Sequence, residues 1–354
     1  MRTATIRWIA HAIPERRLGY EELEARFGAK EVASIAKMSG IRNRHVVAPG
    51  QCASDLAYAA AKRLLDHSGI DPATIDLLTF ASQTPDYRIP ATAAVLHGRL
   101  GLAERCCTFD IGQACSSFVH SIAVAQSMIA AGTAKRALVL NGDALTTLIH
   151  PKDRGLVTLH GDGAAAALLE ACDSDQGGVE FVEFGTDGKR FDKLLVPAGG
   201  AREPSGPATK VEVEDETGIV RTREHLTMDG AAVFHFSVYT VTAFLKRLLA
   251  DRGLSAADYD TVLFHQANKT MVDLLYKSIA VPPEKRFYWM EDTGNSSGAS
   301  LPSLFAEAWR AGAVKPGSRT LACAFGGGLA WGAFSIRWPA DAAAAVPGPI
   351  EVAA

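Results

Sequence analysis

Apolar runs of strand length alternate along the chain with segments whose apolar residues recur every three to four positions. The runs Leu77–Ala81, Arg136–Asn141, Ala164–Leu169, Val262–Phe264, Thr320–Ala324 and Ala333–Arg337 predict strands, and Cys106–Asp110 reads as another. Helices are predicted over Ser54–Ser68, Ala91–Leu100, Ser116–Ala131, Val233–Ala250, Asn268–Ile279 and Ala299–Ala311. The opening MRTATIRWIAHAIPERRL predicts a first strand. Its arginines flank a short apolar patch with no small-residue cleavage site, so it reads as a strand and not as a secretory signal. Such alternation predicts a layered α/β fold.

The pattern also repeats. Cys115-Ser-Ser-Phe opens a helix ending at Ala131-Gly132, and Asn295-Ser-Ser-Gly opens one ending at Ala311-Gly312, each followed by a strand. The offset is 180 residues at both ends (295 against 115, 312 against 132). Upstream, Leu77–Phe80 answers Thr261–Phe264. Duplication predicts two similar halves, 1–174 and 175–338, with a site where they meet. Proline, glycine and charge from Pro197 to Glu224 predict a surface excursion that is either a lid or a solvated loop, and the alanine- and proline-rich 339–354 predicts a disordered tail.

Composition narrows the function classes. Of 354 residues, 48% are hydrophobic and 21% charged, the balance of a well-packed globule, and the net charge of -3 offers no footprint for nucleic acid. No run approaches the ~20 apolar residues of a membrane span, so a cytoplasmic protein is expected. The six cysteines lack CxxC or His/Cys ligand spacing, so neither a disulfide framework nor a metal site is expected.

One cysteine stands apart. Cys115 follows a strand and begins an apolar helix, where the helix dipole lowers a thiol's pKa and backbone N–H groups point at any oxyanion. His265 ends an apolar strand in FHQAN, and Asn295 occupies in the second half the position of Cys115 in the first. Two equivalent helix N-termini facing one pocket bring Cys115, His265 and Asn295 together. The glycine runs His160–Gly163 and Phe325–Gly328 lack the strand–glycine–helix context of a phosphate loop. They are expected to serve close backbone approach to the cysteine, with one glycine N–H aimed at a substrate oxygen.

DIGQACSSF, HGDGAAAALLE, LFHQAN, GNSSGASLP and AFGGGLAWGAF, in that order, resemble the ketoacyl-ACP synthase III branch of the thiolase superfamily. SGIRNRHV, TPDYRIPATAA, KDRGLVTLHGDG and HLTMDG extend the resemblance from about Ile6 to Trp338. It implies duplicated α/β halves in an αβαβα arrangement, a homodimer, and decarboxylative Claisen condensation. An acyl primer is loaded on a cysteine and extended with a malonyl thioester, usually on acyl carrier protein, without metal or cofactor. Carried over by motif, Cys115 is the nucleophile, His265 and Asn295 hold the malonyl thioester carbonyl, and the Cys115 and Gly327 N–H groups form the other oxyanion hole. The resemblance further implies substrate contacts by Ile89, Arg154, Met228, Asn268 and Phe325, and carrier-protein docking at Lys277.

Several positions depart from the family. Ser34 and Met38 replace the tryptophan and arginine that grip coenzyme A, and Thr270 replaces a further arginine. Lost stacking and phosphate contacts favour a primer delivered on carrier protein over acyl-CoA, with Lys37 as the candidate replacement. Ile89 stands where acetyl-specific forms carry a bulky aromatic, and Ser117 where the family has glycine. Together with the excursion, these changes suggest specialised rather than housekeeping metabolism. Two alternatives share the fold: an acyltransferase to an oxygen or nitrogen nucleophile, which has no need of Asn295, and a non-catalytic partner subunit, which would be free to lose the catalytic set. A papain-like hydrolase also uses cysteine, histidine and asparagine but does not suit duplicated halves.

Overall fold

The predicted strands assemble into two sheets of matching order. The computed structural model describes residues 2–342 and 348–354. Its first sheet contains β1 (Arg2–Pro14), β2 (Leu77–Ala81), β3 (Cys107–Ile111), β4 (Arg136–Asp143) and β5 (Gly163–Asp173) in the order β1-β5-β4-β2-β3. The second contains β6 (Gly178–Thr186), β7 (Thr261–Phe264), β8 (Arg319–Gly326) and β9 (Ala330–Arg337) in the order β6-β9-β8-β7. Strand senses also match: β1/β5 and β4/β5 are antiparallel and β2/β4 parallel, as are β6/β9, β8/β9 and β7/β8 in turn. The repeat read from the sequence is a repeat of topology.

Helices fill three layers around the sheets. They are α1 (Tyr20–Phe27), α2 (Ala29–Ser39), α3 (Ala53–Ser68), α4 (Thr92–Leu100), α5 (Ser117–Ala130), α6 (Thr242–Ala250), α7 (Lys269–Ser278) and α8 (Ser300–Arg310). The central layer is α5 with α8: Phe118, Ile122 and Ile129 of one and Leu301, Leu304 and Phe305 of the other pack between Ile6 and Val139 of the first sheet and Ala322 and Phe334 of the second. Strand alternation supplies the outer layers. On β4, Val139 faces the central helices while Leu138 and Leu140 face α3, and on the second sheet Val262 and Leu321 face α6 and α7. Each fully buried Leu or Phe contributes about 1.5–3 kcal/mol, so the αβαβα sandwich is held chiefly by apolar burial. The helix predicted from Val233 begins at Gly230 and passes through a π-helical turn at Phe236–Val241 before α6.

The tail expectation needs correction. Ile350–Val352 forms a strand, β10, paired in parallel with β1 at Ala12, Ile13 and Pro14. Glu15 N–H donates to Val352 O, and the Gln51 amide donates to the Val352 and Ala353 carbonyls. The strand covers the open edge of β1, whose unpaired backbone groups attract it. The segment 343–347 of that expected tail lies outside the described residues. The excursion after Pro197 is also ordered: it carries a short hairpin pairing Val213–Glu214 with Val220–Arg221, and Arg221 holds the buried Asp153 at 2.6 Å. Among the described residues, no helix is long and apolar enough to cross a membrane.

A buried polar contact ties the halves together. His11 Nε2 of β1 hydrogen-bonds Glu307 Oε1 of α8 at 2.9 Å, with side-chain exposures of 1% and 2%. Burial pushes the Glu307 carboxyl up, but hydrogen bonds from His11 and Arg310 outweigh it and hold the group below the usual glutamate range. Stability from this group is therefore present above the ordinary glutamate value and is lost as pH falls through the depressed one. Replacing Glu307→Leu leaves His11 Nε2 unpartnered beside an Nδ1 that already lacks a partner. We expect a loss of about 1–3 kcal/mol in urea unfolding at pH 7 and a shallower acid-side decline of stability.

Candidate active site

The nucleophilic position is built by two loops pressed against each other. From β3 the chain passes through Gly112 to Cys115, two residues before the first residue of α5. Opposite it runs Gly326, the last residue of β8. A Cβ on Gly326 would lie 2.7 Å from Cys115 Cβ and 2.8 Å from Sγ, so only glycine permits this approach. The contact brings the Gly327 backbone up to the thiol, whose ionised form the N–H groups of Gly327 and of Cys115 itself favour, and Ser297 Oγ lies 3.7 Å from the sulfur.

The thiol's ionisation is opposite to the sequence expectation. Burial pushes Cys115 up to about 11, against the pull of Ser297 and the two N–H groups and with a further upward push from Asp143. Only 7% of the residue is exposed, and loss of water outweighs the helix terminus. Cys115 rests as a neutral thiol.

His265 and Asn295 come from the other half. His265 follows β7, is 1% exposed, and has Nδ1 2.9 Å from Ser300 Oγ, which also accepts the Gln266 N–H at 2.9 Å. With the Ser300 hydroxyl donating to Nδ1 the ring proton sits on Nε2, and with the same oxygen accepting from Nδ1–H it sits on Nδ1. Burial, aided by the neighbouring His160, pushes the imidazole down to about 3, so it is neutral at physiological pH. Phe325 stands edge-on against the ring at 5.7 Å. The Asn295 backbone is clamped on both sides: its N–H donates to Leu159 O at 3.0 Å and its carbonyl accepts from Gly161 N–H at 3.1 Å. Its Oδ1 accepts the Ser297 N–H at 3.0 Å, which turns Nδ2 outward as a donor.

The two glycine runs thus do different work. Phe325–Gly328 makes the expected approach to the cysteine. His160–Gly163 approaches the Asn295 segment instead: a Cβ on Gly161 would fall 2.2 Å from Thr293 O.

The remaining sequence-predicted residues fall into two groups. Met228 pairs with Leu194, which packs against the position of a Gly327 side chain at 3.4 Å, so Met228 and Phe325 are close to the site. Asn268 spends its Oδ1 capping α7, accepting Met271 N–H at 2.8 Å. Arg154 is held by Glu31 of α2 at 3.1 Å and by Thr217 O of the excursion at 2.8 Å. Lys277 is exposed on α7. Ile89 is 88% exposed. Ser34, Lys37 and Met38 lie exposed on α2, and Thr270 Oγ1 donates to Met38 O at 2.6 Å, joining α2 to α7.

Comparison with known proteins matches this geometry. Models of 3-oxoacyl-[acyl-carrier-protein] synthase III and of its C-terminal region match residues 109–188 and 249–338. A beta-ketoacyl-[acyl-carrier-protein] synthase III of Erythrobacter litoralis is 35% identical over 95% of this chain and 99% of its own. The chain belongs to the 3-oxoacyl-[acyl-carrier-protein] synthase III family. A solved 3-oxoacyl-(acyl-carrier protein) synthase from Burkholderia xenovorans superposes with a TM-score of 0.90 at 31% identity, covering 99% of this chain and 98% of that one. The priming beta-ketosynthase of the R1128 polyketide pathway gives a TM-score of 0.82 at 29% identity, covering 95% and 96%. The fold is the thiolase fold of these synthases.

Sequence reasoning missed the polar residues that hold this synthase III site in place: Ser297, Ser300, Asp143 and the Leu159–Gly161 clamp. Polar residues inside apolar runs, as in LVLNGDAL and NSSGASLP, were the available signal. It also left Ser117 without a partner. The Asn141 amide donates to Ser117 Oγ at 2.8 Å, and a Cβ on Gly298 would lie 2.5 Å from that oxygen. The serine fits because position 298 lacks a side chain. Gly298→Ala should therefore cost about 1–3 kcal/mol by overpacking. Adding Ser117→Ala should recover more than half of that loss, a coupling that a double-mutant cycle in urea detects and that independent sites would not show.

Proposed function

We propose that the protein forms carbon–carbon bonds, loading an acyl primer on Cys115 and extending it with a malonyl thioester by decarboxylative Claisen condensation. Membership of the synthase III family places it among acyltransferases of the condensing type. One observation supports the residue assignment: the buried Cys115 thiol meets Ser297 Oγ at 3.7 Å, and the Ser297 N–H fixes the Oδ1 of Asn295.

The chemistry has two charged stages and the site has two sets of donors. In the first, the Cys115 sulfur attacks the primer thioester, and the N–H groups of Cys115 and Gly327 stabilise the tetrahedral oxyanion. In the second, the malonyl thioester carbonyl accepts from His265 Nε2–H and Asn295 Nδ2–H. Carbon dioxide leaves, those donors hold the enolate, and its carbon attacks the acyl group on Cys115. A neutral histidine suits this role, since it donates without needing to gain or lose a proton.

The relatives are named for acyl carrier protein, and a carrier-bound malonyl group is the proposed extender. A carrier-bound primer is favoured over acyl-CoA because Arg154 is already engaged by Glu31 and Ser34 offers no stacking surface. Lys277 is the proposed contact for the acidic carrier. We further propose a cytoplasmic homodimer in which the exposed Ile89 enters the partner's acyl slot, and a site formed where halves 1–174 and 175–338 meet. The 29% identity to a polyketide priming enzyme supports a specialised pathway.

Intact-mass analysis after incubation with acyl-carrier protein should show one acyl group on wild-type protein and none on Cys115→Ala. His265→Ala and Asn295→Ala should still acylate but release carbon dioxide about 10²–10³-fold more slowly from malonyl-carrier protein. With His265 titrating near 3, its imidazole stays neutral above that value, so carbon dioxide release should keep its rate from pH 8 to pH 6 with no histidine limb. A wild-type protein that takes up no acyl mass would sink the assignment.

A further inference from the structure

A carbonyl oxygen is met only by a protonated nitrogen, so the role proposed for His265 turns on which ring nitrogen carries its single proton. Ser300 Oγ touches that ring: it lies 2.9 Å from His265 Nδ1 and accepts the Gln266 backbone N–H at 2.9 Å. Ser300 is the first residue of α8, where a hydroxyl commonly turns back on its own helix. Here it reaches across to the end of β7 instead. All three residues are buried, with exposures of 3%, 1% and 2% for Ser300, His265 and Gln266.

Counting donors and acceptors separates the two ways this contact can be made. A backbone N–H only donates, so Gln266 fills an acceptor position of the serine oxygen. If Nδ1–H donated to the same oxygen, the hydroxyl proton would have no acceptor among the described residues, and buried polar groups are rarely left so. If the hydroxyl donates to Nδ1, the serine and Nδ1 are both satisfied and the ring proton lies on Nε2. The surroundings hold this alignment. The Gln266 side-chain amide donates to Phe264 O at 2.8 Å and accepts the Trp289 N–H at 3.1 Å, and His265 N–H donates to Cys323 O at 2.9 Å.

We propose that Ser300 is a positioning residue that selects the Nε2–H tautomer of His265 and makes the ring the last link of a one-way chain of donors. Gln266 N–H donates to Ser300 Oγ, the Ser300 hydroxyl donates to His265 Nδ1, and His265 Nε2–H donates to the malonyl thioester oxygen. The chain starts on a group that cannot accept, so its direction is fixed. As the enolate oxygen gains charge, each bond polarises the next and no proton changes place. Burial keeps the imidazole neutral, which leaves Nδ1 a lone pair with which to accept.

The inference rests on the condensation proposed above, yet its first test needs no substrate. Nitrogen NMR of protein carrying isotope-labelled histidine, with the His265 signals identified by their loss in His265→Gln, should show the wild-type ring protonated at Nε2 and bare at Nδ1. Ser300→Ala should show both tautomers. That variant should release carbon dioxide from malonyl-carrier protein about 10–10²-fold more slowly, less than loss of the imidazole itself, because the ring still visits the donor tautomer. The fall should be at least about tenfold greater than any fall in acyl loading of Cys115, and Ser300→Thr, which keeps the hydroxyl, should recover most of it. A wild-type ring protonated at Nδ1 overturns the inference even if Ser300→Ala does not fold. So does a Ser300→Ala variant that keeps the Nε2–H tautomer alone, or one that loses both half-reactions equally. A wild type that shows the Nε2–H tautomer but takes up no acyl group overturns the proposed function and leaves the tautomer selection standing.

Discussion

The site depends on α5 and α8 lying between two sheets, where α8 is almost wholly buried and α5 is buried along one face. Of α8, nine of the eleven residues are buried. Its ends must therefore be satisfied from within the protein. The loops that lead into the two helices carry Cys115 and Asn295, and the sandwich forces them toward one another. Strand β8 of the second sheet ends beside the first of these loops, and its terminal glycine closes the gap to the sulfur. Apolar packing positions the chemistry, and the polar residues only complete it.

That packing also sets the electrostatics. A dry pocket favours neutral forms, so the same burial raises the Cys115 thiol and lowers His265. The two shifts suit different tasks. A neutral imidazole is a donor whose state does not drift with pH, as holding an enolate requires. A neutral thiol is a poor nucleophile until it loses its proton, and the polar side chain the dry pocket sets against it is Ser297.

The duplicated fold was legible because a 180-residue offset repeats helix starts, helix ends and strands together, and tertiary packing preserves such order. Cys115, His265 and Asn295 were legible for the same reason, since each occupies an element terminus that the repeat makes equivalent or adjacent. What the sequence concealed was depth. A cysteine before a helix reads as activated until 93% of its surface is seen to be covered, at which point desolvation exceeds the dipole. Asn268, expected at a ligand, also caps the helix it opens through its Oδ1, a role that element position alone would have given it. The alanine-rich tail looked unstructured because its composition is; the unpaired edge of β1, invisible in a one-dimensional pattern, recruits Ile350–Val352.

The mouth of the site shows how substitutions and an insertion combine. Ser34 and Met38 remove an aromatic surface and a cation from α2, while Glu31, one turn earlier on the same helix, captures Arg154. The excursion holds the other side of that guanidinium through Thr217 O and anchors itself by Arg221 on Asp153, the neighbouring residue. Arg88, in the loop that carries Ile89, binds Gly199 O at the excursion's start. The excursion is thus fastened both to Arg154, which α2 holds, and to the loop that carries Ile89. Freeing Arg154 for a ligand phosphate would mean breaking a carboxylate pair and a carbonyl hydrogen bond together, and a nucleotide would then meet the Glu31 carboxylate. The proposed carrier-borne primer would bring only a pantetheine arm to this rim, avoiding that repulsion and leaving the fastening intact.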